Sequence, residues 1–417
     1  MDSRNFFIFF GILLLICATI PAVFAVSPQW TVKAAPSVSL SSVAISDDGS
    51  TIVAGGDQLM VLSPSGDKVW TGWSGSTVGL SRDGSYIITA QGTSVRLLNR
   101  AGTKLWDQSL GAAVADVSIS PDATLIAAGG GSIVETWYNS GVGLGINTTS
   151  TIRHVRMSPA KDQVIVTTND ALRSFNVSCV QNWFNDTVSP DLVEVSGDGT
   201  GFVIPFGNHV RLYHGSGTKL WDITVPGPGN IVSLAYSRDG STIVVGRDDG
   251  TVDVIDANGN ILWNKKTGYW AATVAVSDNG SVIVIGNLDK TMSVFNRKGD
   301  LLGTFNAASM VNSHSVAVSG DGSLIAAVDS SNVYGFSTSQ FTGAVPTGTI
   351  PVTTPASPTS GTVPVPSPSP ATTAVTMSPA PAVTTIVPAG TTSAPGFPGI
   401  FAVLSLALVV LVRIRRG

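Results

Sequence analysis

One pattern recurs along this chain: an apolar residue, a variable one, a second apolar residue, then Ser-x-Asp-Gly and a short Ile/Val run. Its serines are Ser46, Ser81, Ser120, Ser158, Ser196, Ser237, Ser277 and Ser319, at spacings of 35, 39, 38, 38, 41, 40 and 42 residues. A period near forty residues marks one supersecondary unit per repeat, which cannot bury its apolar surface alone and must stack on its neighbours. The unit is clearest where Leu234–Ser237, Thr242–Val245, Thr251–Ile255 and Ile261–Asn264 form four β-rich runs. Between them lie Arg238-Asp239-Gly240, Asp248-Asp249-Gly250 and Ala257-Asn258-Gly259. Asp-Gly and Asn-Gly supply the positive φ angles that tight hairpins demand, so each repeat is predicted to be a four-stranded antiparallel meander.

A second marker runs in phase with the first: a turn residue, usually Gly, and an aromatic ring four positions later. Gly66/Trp70, Gly102/Trp106, Cys179/Trp183, Gly217/Trp221 and Gly259/Trp263 carry it, while Gly141/Gly145 and Gly299/Gly303 keep the spacing without the ring. The repeat beginning at Ser319 stops near Phe341, one strand short. A candidate for that strand lies at the other end, where Gln29-Trp30-Thr31-Val32 resembles Lys219-Leu220-Trp221-Asp222-Ile223. A repeat shared between the termini closes an array on itself and removes the exposed sheet edge of an open one. The expected fold is therefore an all-β, eight-bladed β-propeller of four-stranded antiparallel blades, closed by N- and C-terminal strands in one blade. Merging the degenerate repeats that start at Ser120 and Ser158 gives the seven-bladed alternative. Composition agrees: 45 glycines suit many tight turns, and 12% charged residues leave a polar but sparsely charged surface.

From about residue 28 to 340 the chain resembles two propeller repeat families. Ser-x-Asp-Gly after an inner strand is similar to the WD type, and Gly-x-x-x-Trp is similar to the quinoprotein (PQQ-like) type. Trp106-Asp107 and Trp221-Asp222 lie on the outer strand, away from the usual WD position. The quinoprotein likeness implies rings wedged between neighbouring blades. The cofactor site of that family also uses adjacent cysteines, which this chain lacks, so no cofactor is expected.

The ends read differently from the middle. Residues 1–25 combine Arg4, an apolar run from Phe6 to Ile20 and the small residues of Val23-Phe24-Ala25, the pattern of a cleaved signal peptide. The propeller is assigned to 26–341. Residues 342–394 are almost wholly Pro, Thr, Ser, Ala, Val and Gly, a composition that builds no core and suits an extended stalk. Residues 395–417 carry Pro395-Gly396-Phe397, an apolar run from Gly399 to Val412 and a basic end at Arg413, Arg415 and Arg416. This order resembles an archaeal PGF-type C-terminal sorting signal, which implies processing by an archaeosortase-type enzyme and transfer to a lipid. The alternative is an ordinary C-terminal transmembrane anchor. Either places the propeller outside the cell, at its surface. Sequons at Asn147, Asn176, Asn185 and Asn279 are glycosylation candidates consistent with that location. Of the two cysteines, Cys17 falls in the leader and Cys179 remains as a single thiol.

No basic cluster precedes the last few residues and the net charge is −4, which argues against nucleic acid as a partner. Asp48, Asp83, Asp122, Asp198, Asp239 and Asp321 recur with the repeat and are expected to serve their turns. His154, His209, His214 and His314 fall in different repeats without zinc-protease spacing, and no metal or catalytic residue is assigned. Connectors that enter the inner strands should converge on one rim of the central channel. They bring Trp73, Asp116, His154, Asp191, Tyr269, Trp270, Asn312 and His314, a set able to stack on sugars and hydrogen-bond their hydroxyls. The expected function is a surface-anchored binding or envelope-scaffold module for an envelope protein or polysaccharide. The alternatives are an extracellular propeller enzyme, a polysaccharide lyase or glycoside hydrolase, and a purely architectural component.

Overall fold

The computed structural model describes residues 25–160, 163–309 and 314–341. The leader, the stalk, Asn312 and the Pro395-Gly396-Phe397 segment lie outside the described residues. Strands β1 (Trp30–Lys33) to β32 (Asn332–Ser337) form eight separate four-stranded antiparallel sheets. Blades 1 to 7 comprise residues 40–72, 77–109, 114–148, 152–185, 194–224, 231–266 and 271–306, each in simple up-and-down order. Blade 8 combines β30 (Val316–Val318), β31 (Leu324–Val328) and β32 with β1, which pairs Trp30 with Gly335 and Lys33 with Asn332. Eight blades are present, and the termini complete the last one.

The first strand of every blade contacts the first strand of the next. These are β2 (Leu40–Ile45), β6 (Thr77–Leu80), β10 (Val114–Ile119), β14 (Ile152–Met157), β18 (Glu194–Val195), β22 (Ile231–Tyr236), β26 (Ala271–Val276) and β30, and β30 returns to β2. They therefore line the channel, and the fourth strands form the perimeter. Chain direction then defines two faces. The Ser-x-Asp-Gly turns and third-to-fourth-strand hairpins lie on one, the turn face. The connectors between blades and the second-to-third-strand hairpins lie on the other, the connector face.

Burial follows from this radial packing. Both sides of a second strand are covered by neighbouring blades, so Ile52–Gly56, Thr242–Arg247 and Val282–Asn287 are buried throughout. On the perimeter only the indole of Ile261–Lys266 is buried. Each core cluster joins two blades, as where Val244, Val252 and Val254 of blade 6 meet Ile283, Ile285 and Phe295 of blade 7. Each such apolar side chain contributes about 1.5–3 kcal/mol on burial.

Six tryptophans tie the perimeter together. Trp30, Trp70, Trp106, Trp183, Trp221 and Trp263 donate their indole N–H to carbonyls of Pro64, Arg100, Asn139, Gly215, Ala257 and Arg297 in the following blade, at 2.9–3.2 Å. A β-carbon on Gly66 or Gly102 would stand 2.5 Å from the ring arriving from the preceding blade, and both glycines have positive φ. Thus the Gly of each Gly-x-x-x-Trp marker receives one ring, and the Trp supplies the next. Both missing rings have a reason. Gly145 approaches so closely that a β-carbon there would lie 2.1 Å from the Ser178 carbonyl, and Asn147 Nδ2 donates to Cys179 O at 2.9 Å instead. Gly303 faces blade 8, where the chain ends stand in place of a hairpin.

The turn aspartates are occupied locally. In the Ser237 repeat, Ser237 Oγ donates to Asp239 Oδ1 at 2.7 Å and accepts from Thr242 N at 2.9 Å, while Asp239 Oδ1 accepts from Ser241 N at 2.9 Å. The same bonds recur at Asp48, Asp83, Asp122, Asp198 and Asp321, and Asn279 substitutes in blade 7. For Asp83, the hydroxyls of Ser85 and Ser81 hold the carboxyl below its ordinary value. These side chains are turn elements.

Candidate functional site

The inner strands of blades 3, 4 and 5 bring together the densest ionisable cluster on the channel wall. Asp116 sits in β10, His154 and Arg156 in β14, and Glu194 in β18. Alternate residues of a strand share a side, which is why His154 and Arg156 act together. Asp116 is 6% exposed, and its Oδ2 accepts from Arg156 Nη1 at 2.5 Å, from Val155 N at 3.1 Å, and lies 3.1 Å from His154 Nδ1. Val155 N–H belongs to the channel edge of β14, which has no strand partner on that side, so Asp116 satisfies an otherwise unpaired donor. Ser118 does the same for Met157 N–H at 2.9 Å. The Arg156 fork also engages Glu194, with Nη2–Oε1 at 3.0 Å and Nε 3.3 Å from both oxygens.

Burial alone would push the Asp116 carboxyl up, but the Arg156 charge and the His154 hydrogen bond hold it well below the ordinary carboxylate range. The two carboxylates raise Arg156 further above its already high value against its own burial. Asp116 is thus a fixed anion rather than a proton donor. His314 immediately precedes blade 8's inner strand, and its carbonyl accepts from Val43 N of blade 1 at 2.9 Å. Its imidazole is open to solvent yet hemmed by protein, and that burial, followed by the Arg156 charge, lowers its pKa. Asp116 and Glu194 oppose that lowering and His154 adds to it, so His314 belongs electrostatically to the cluster.

The sequence-derived set is therefore divided. Asp116 and His154 meet, with His314 coupled to them, but the first two lie in inner strands rather than in the loops before them. Asp191 is in a connector and pairs with Arg153 Nη1, its side chain 68% exposed. Trp73 turns outward along the groove between blades 1 and 2, where its indole N–H donates to Gly102 O at 3.3 Å. Lys104 Nζ and the Arg96 guanidinium stand 5.1 and 5.7 Å from its ring. Tyr269, 63% exposed, and Trp270, 36% exposed, lie on the connector between blades 6 and 7, where Tyr269 N donates to Asp289 Oδ2 at 3.1 Å. Arg156 and Glu194 were not singled out from sequence. Their only local signal is charge two residues before a repeat serine, where blades 1, 2, 3, 6, 7 and 8 carry Ala44, Gly79, Ser118, Ala235, Ala275 and Ala317.

The turn-face mouth is braced by four charges from four blades. Asp47 Oδ2 lies 2.8 Å from Arg82 Nε and 3.1 Å from Arg238 Nη2, and Asp278 Oδ2 lies 3.5 Å from Arg238 Nε and 3.8 Å from Arg82 Nη2. Blades 6 and 1 are three steps apart, so Arg238 reaches across the mouth. Burial and neighbouring Asp47 raise the Asp278 pKa, with Arg238 and Arg82 opposing them. Among the described residues no group of three or more His, Cys, Asp or Glu could hold a metal ion, and no helix is long and apolar enough to cross a membrane.

Fold and blade count define an eight-bladed β-propeller protein. The WD domain, G-beta repeat family profile matches residues 219–256. That span runs from the fourth strand of blade 5 through the third strand of blade 6, so the sequence repeat is offset from the structural blade. Among solved structures, the C-terminal WD40 domain of Sif2 superposes with a TM-score of 0.64 at 14% identity, covering 75% of this chain and 99% of that one. No curated protein matches the chain in sequence.

Proposed function

We propose that the propeller is an extracellular, surface-anchored binding or scaffold module, with an envelope protein or polysaccharide as its partner, presented on the Pro/Thr-rich stalk. The observation that carries this is the connector face: Tyr269 and Trp270 stand exposed beside polar connector groups, an arrangement suited to stacking and hydrogen bonding. Across the channel wall, by contrast, Asp116, Arg156 and Glu194 already satisfy one another. The leader and the sorting-signal resemblance supply the location, and the sequons at Asn176 and Asn185 fit it. The test is binding of the purified full chain to a glycan array and to envelope extract, beside Tyr269→Ala/Trp270→Ala. Loss of binding in the double variant with an unchanged unfolding midpoint is the expected outcome; equal binding by both proteins rejects the connector face.

The propeller-enzyme alternative has one observation in its favour, the half-buried His154 beside Asp116 with His314 nearby. It requires turnover of an extracellular polysaccharide that His154→Gln abolishes. Against it, the Arg156 guanidinium holds Asp116 as a carboxylate and occupies the oxygens of Glu194, so neither carboxylate is left free to meet a substrate.

A further inference from the structure

Blade 4 is attached to its neighbours differently from the other blades. At the turn face, the residue after the repeat serine links adjacent blades through the main chain in five of the eight blades. Gly320 N donates to Asp47 O at 2.9 Å, Asp47 N to Arg82 O at 3.0 Å, Arg82 N to Pro121 O at 2.9 Å, Gly197 N to Arg238 O at 2.9 Å and Asp278 N to Gly320 O at 2.9 Å. Between blades 6 and 7 the donor is Asp239, one residue later, to Asp278 O at 2.9 Å. Two links of this ring cannot form. Pro121 and Pro159 occupy the donor position in blades 3 and 4 and have no N–H. The seams they leave are those between blades 3 and 4 and between blades 4 and 5. The blade 3 to blade 4 seam also lacks the indole contact, because Gly145 replaces the ring.

One side chain reaches across both seams, alongside the Asp116–Val155, Ser118–Met157 and Asn147–Cys179 bonds between blades 3 and 4 and the Trp183–Gly215 bond between blades 4 and 5. Arg156 of blade 4 reaches back to Asp116 of blade 3 and forward to Glu194 of blade 5. β18 is only two residues long, so little inner-strand pairing backs this contact on the blade 5 side. We propose that Arg156 is a latch that substitutes for the missing main-chain ring, making blade 4 the sector of the disc that loosens while the remaining blades stay closed. The difference is physical. A main-chain hydrogen bond between fixed strands is nearly indifferent to salt, whereas an ion pair whose Glu194 side chain is 30% exposed weakens as charges are screened. Local opening then costs less here than elsewhere in the ring.

The test is amide hydrogen exchange on the full chain, comparing peptides from 152–157 and 194–203 with peptides from 316–337 in blade 8, for which no ion pair is found among the described residues. Arg156→Gln keeps much of the side-chain length and removes the charge. It is expected to accelerate exchange in the first two segments by about tenfold, leaving the third unchanged. Adding Pro159→Ala restores an N–H at the ring position, for which the pattern of the other blades makes the Gly197 carbonyl the expected acceptor, and should return part of that protection. In the unmodified chain, raising salt to about 1 M, where screening extends only about 3 Å, should accelerate the same two segments selectively. Uniform acceleration in every blade, no acceleration, or failure of Pro159→Ala to restore protection overturns the proposal. Should Arg156→Gln not fold, the salt series decides alone: a selective response sustains the latch, and a uniform or absent one removes it.

Discussion

The indole nitrogen of Trp30, in the first strand of the propeller, donates to the carbonyl of Pro64 at 2.9 Å, and its ring fills the space above Gly66. On its other side it lies over Gly335, where a β-carbon would stand 2.0 Å from the ring. One residue thus joins the N-terminal strand, the C-terminal strand and blade 1. Trp30→Ala is expected to lower the unfolding free energy by about 3–5 kcal/mol, the usual cost of deleting a packed Trp, measured by urea denaturation. Val69→Ala, at an exposed perimeter position, is the control and should change it by less than about 0.5 kcal/mol. Equal effects would show that the ring closure does not depend on Trp30.

Histidine 314 makes stability depend on pH. Its pKa is lower folded than the ordinary 6.5, so between the two values the unfolded chain binds more protons. The stability it contributes is complete above about 6.5 and is lost as pH falls toward the folded value. His314→Asn, which tolerates the positive φ of 60° at this position, is expected to flatten that part of the stability curve. Denaturation midpoints between pH 5 and 7, roughly spanning ordinary histidine titration, check it. An unchanged slope would assign the effect to another group.

The sequons should differ in use. Asn147 spends its amide nitrogen on the Cys179 carbonyl between blades 3 and 4, where an attached sugar would have no room beside the Gly145–Ser178 approach. Asn185 turns its carbonyl to Thr187, accepting from N at 3.0 Å and from Oγ1 at 2.6 Å, and among the described residues its nitrogen has no hydrogen-bond partner. In an exporting, glycosylating host, peptide mass spectrometry is expected to find sugar on Asn185 and none on Asn147. Occupancy at Asn147 in folded protein would contradict the packing.

Blade 6 holds a fully buried ion pair. Arg247 Nε donates to Asp253 Oδ2 at 2.9 Å and Nη2 also reaches that oxygen, while Nη1 has no partner among the described residues. Asp253→Ala leaves a buried cation without its partner and is expected to cost about 3–5 kcal/mol. Arg247→Met with Asp253→Leu should recover most of that, because both desolvation costs disappear and exposed Asn264 can return to water. Urea denaturation of the two variants separates these outcomes. A double variant as unstable as the single one would mean that the pair does more than neutralise itself.

Much of this molecule was legible in one dimension. The forty-residue period, the Asp-Gly and Asn-Gly turns and the split last repeat determined a closed ring of four-stranded blades, because hairpin geometry and edge closure are local and periodic constraints, and the structure decided eight over seven. The repeated aspartates were equally readable, since each acts on residues two positions away. What only the tertiary structure decided is which side chains from different blades meet. Arg156 lies 40 residues from Asp116 and 38 from Glu194, and their contact depends on the angle between neighbouring blades, which no local pattern encodes. The same geometry carries Trp73 to the perimeter groove and Arg238 across the turn-face mouth. Pro121 and Pro159 look like ordinary turn residues in sequence. Their meaning, two missing donors in a ring of main-chain bonds, exists only once the ring has closed.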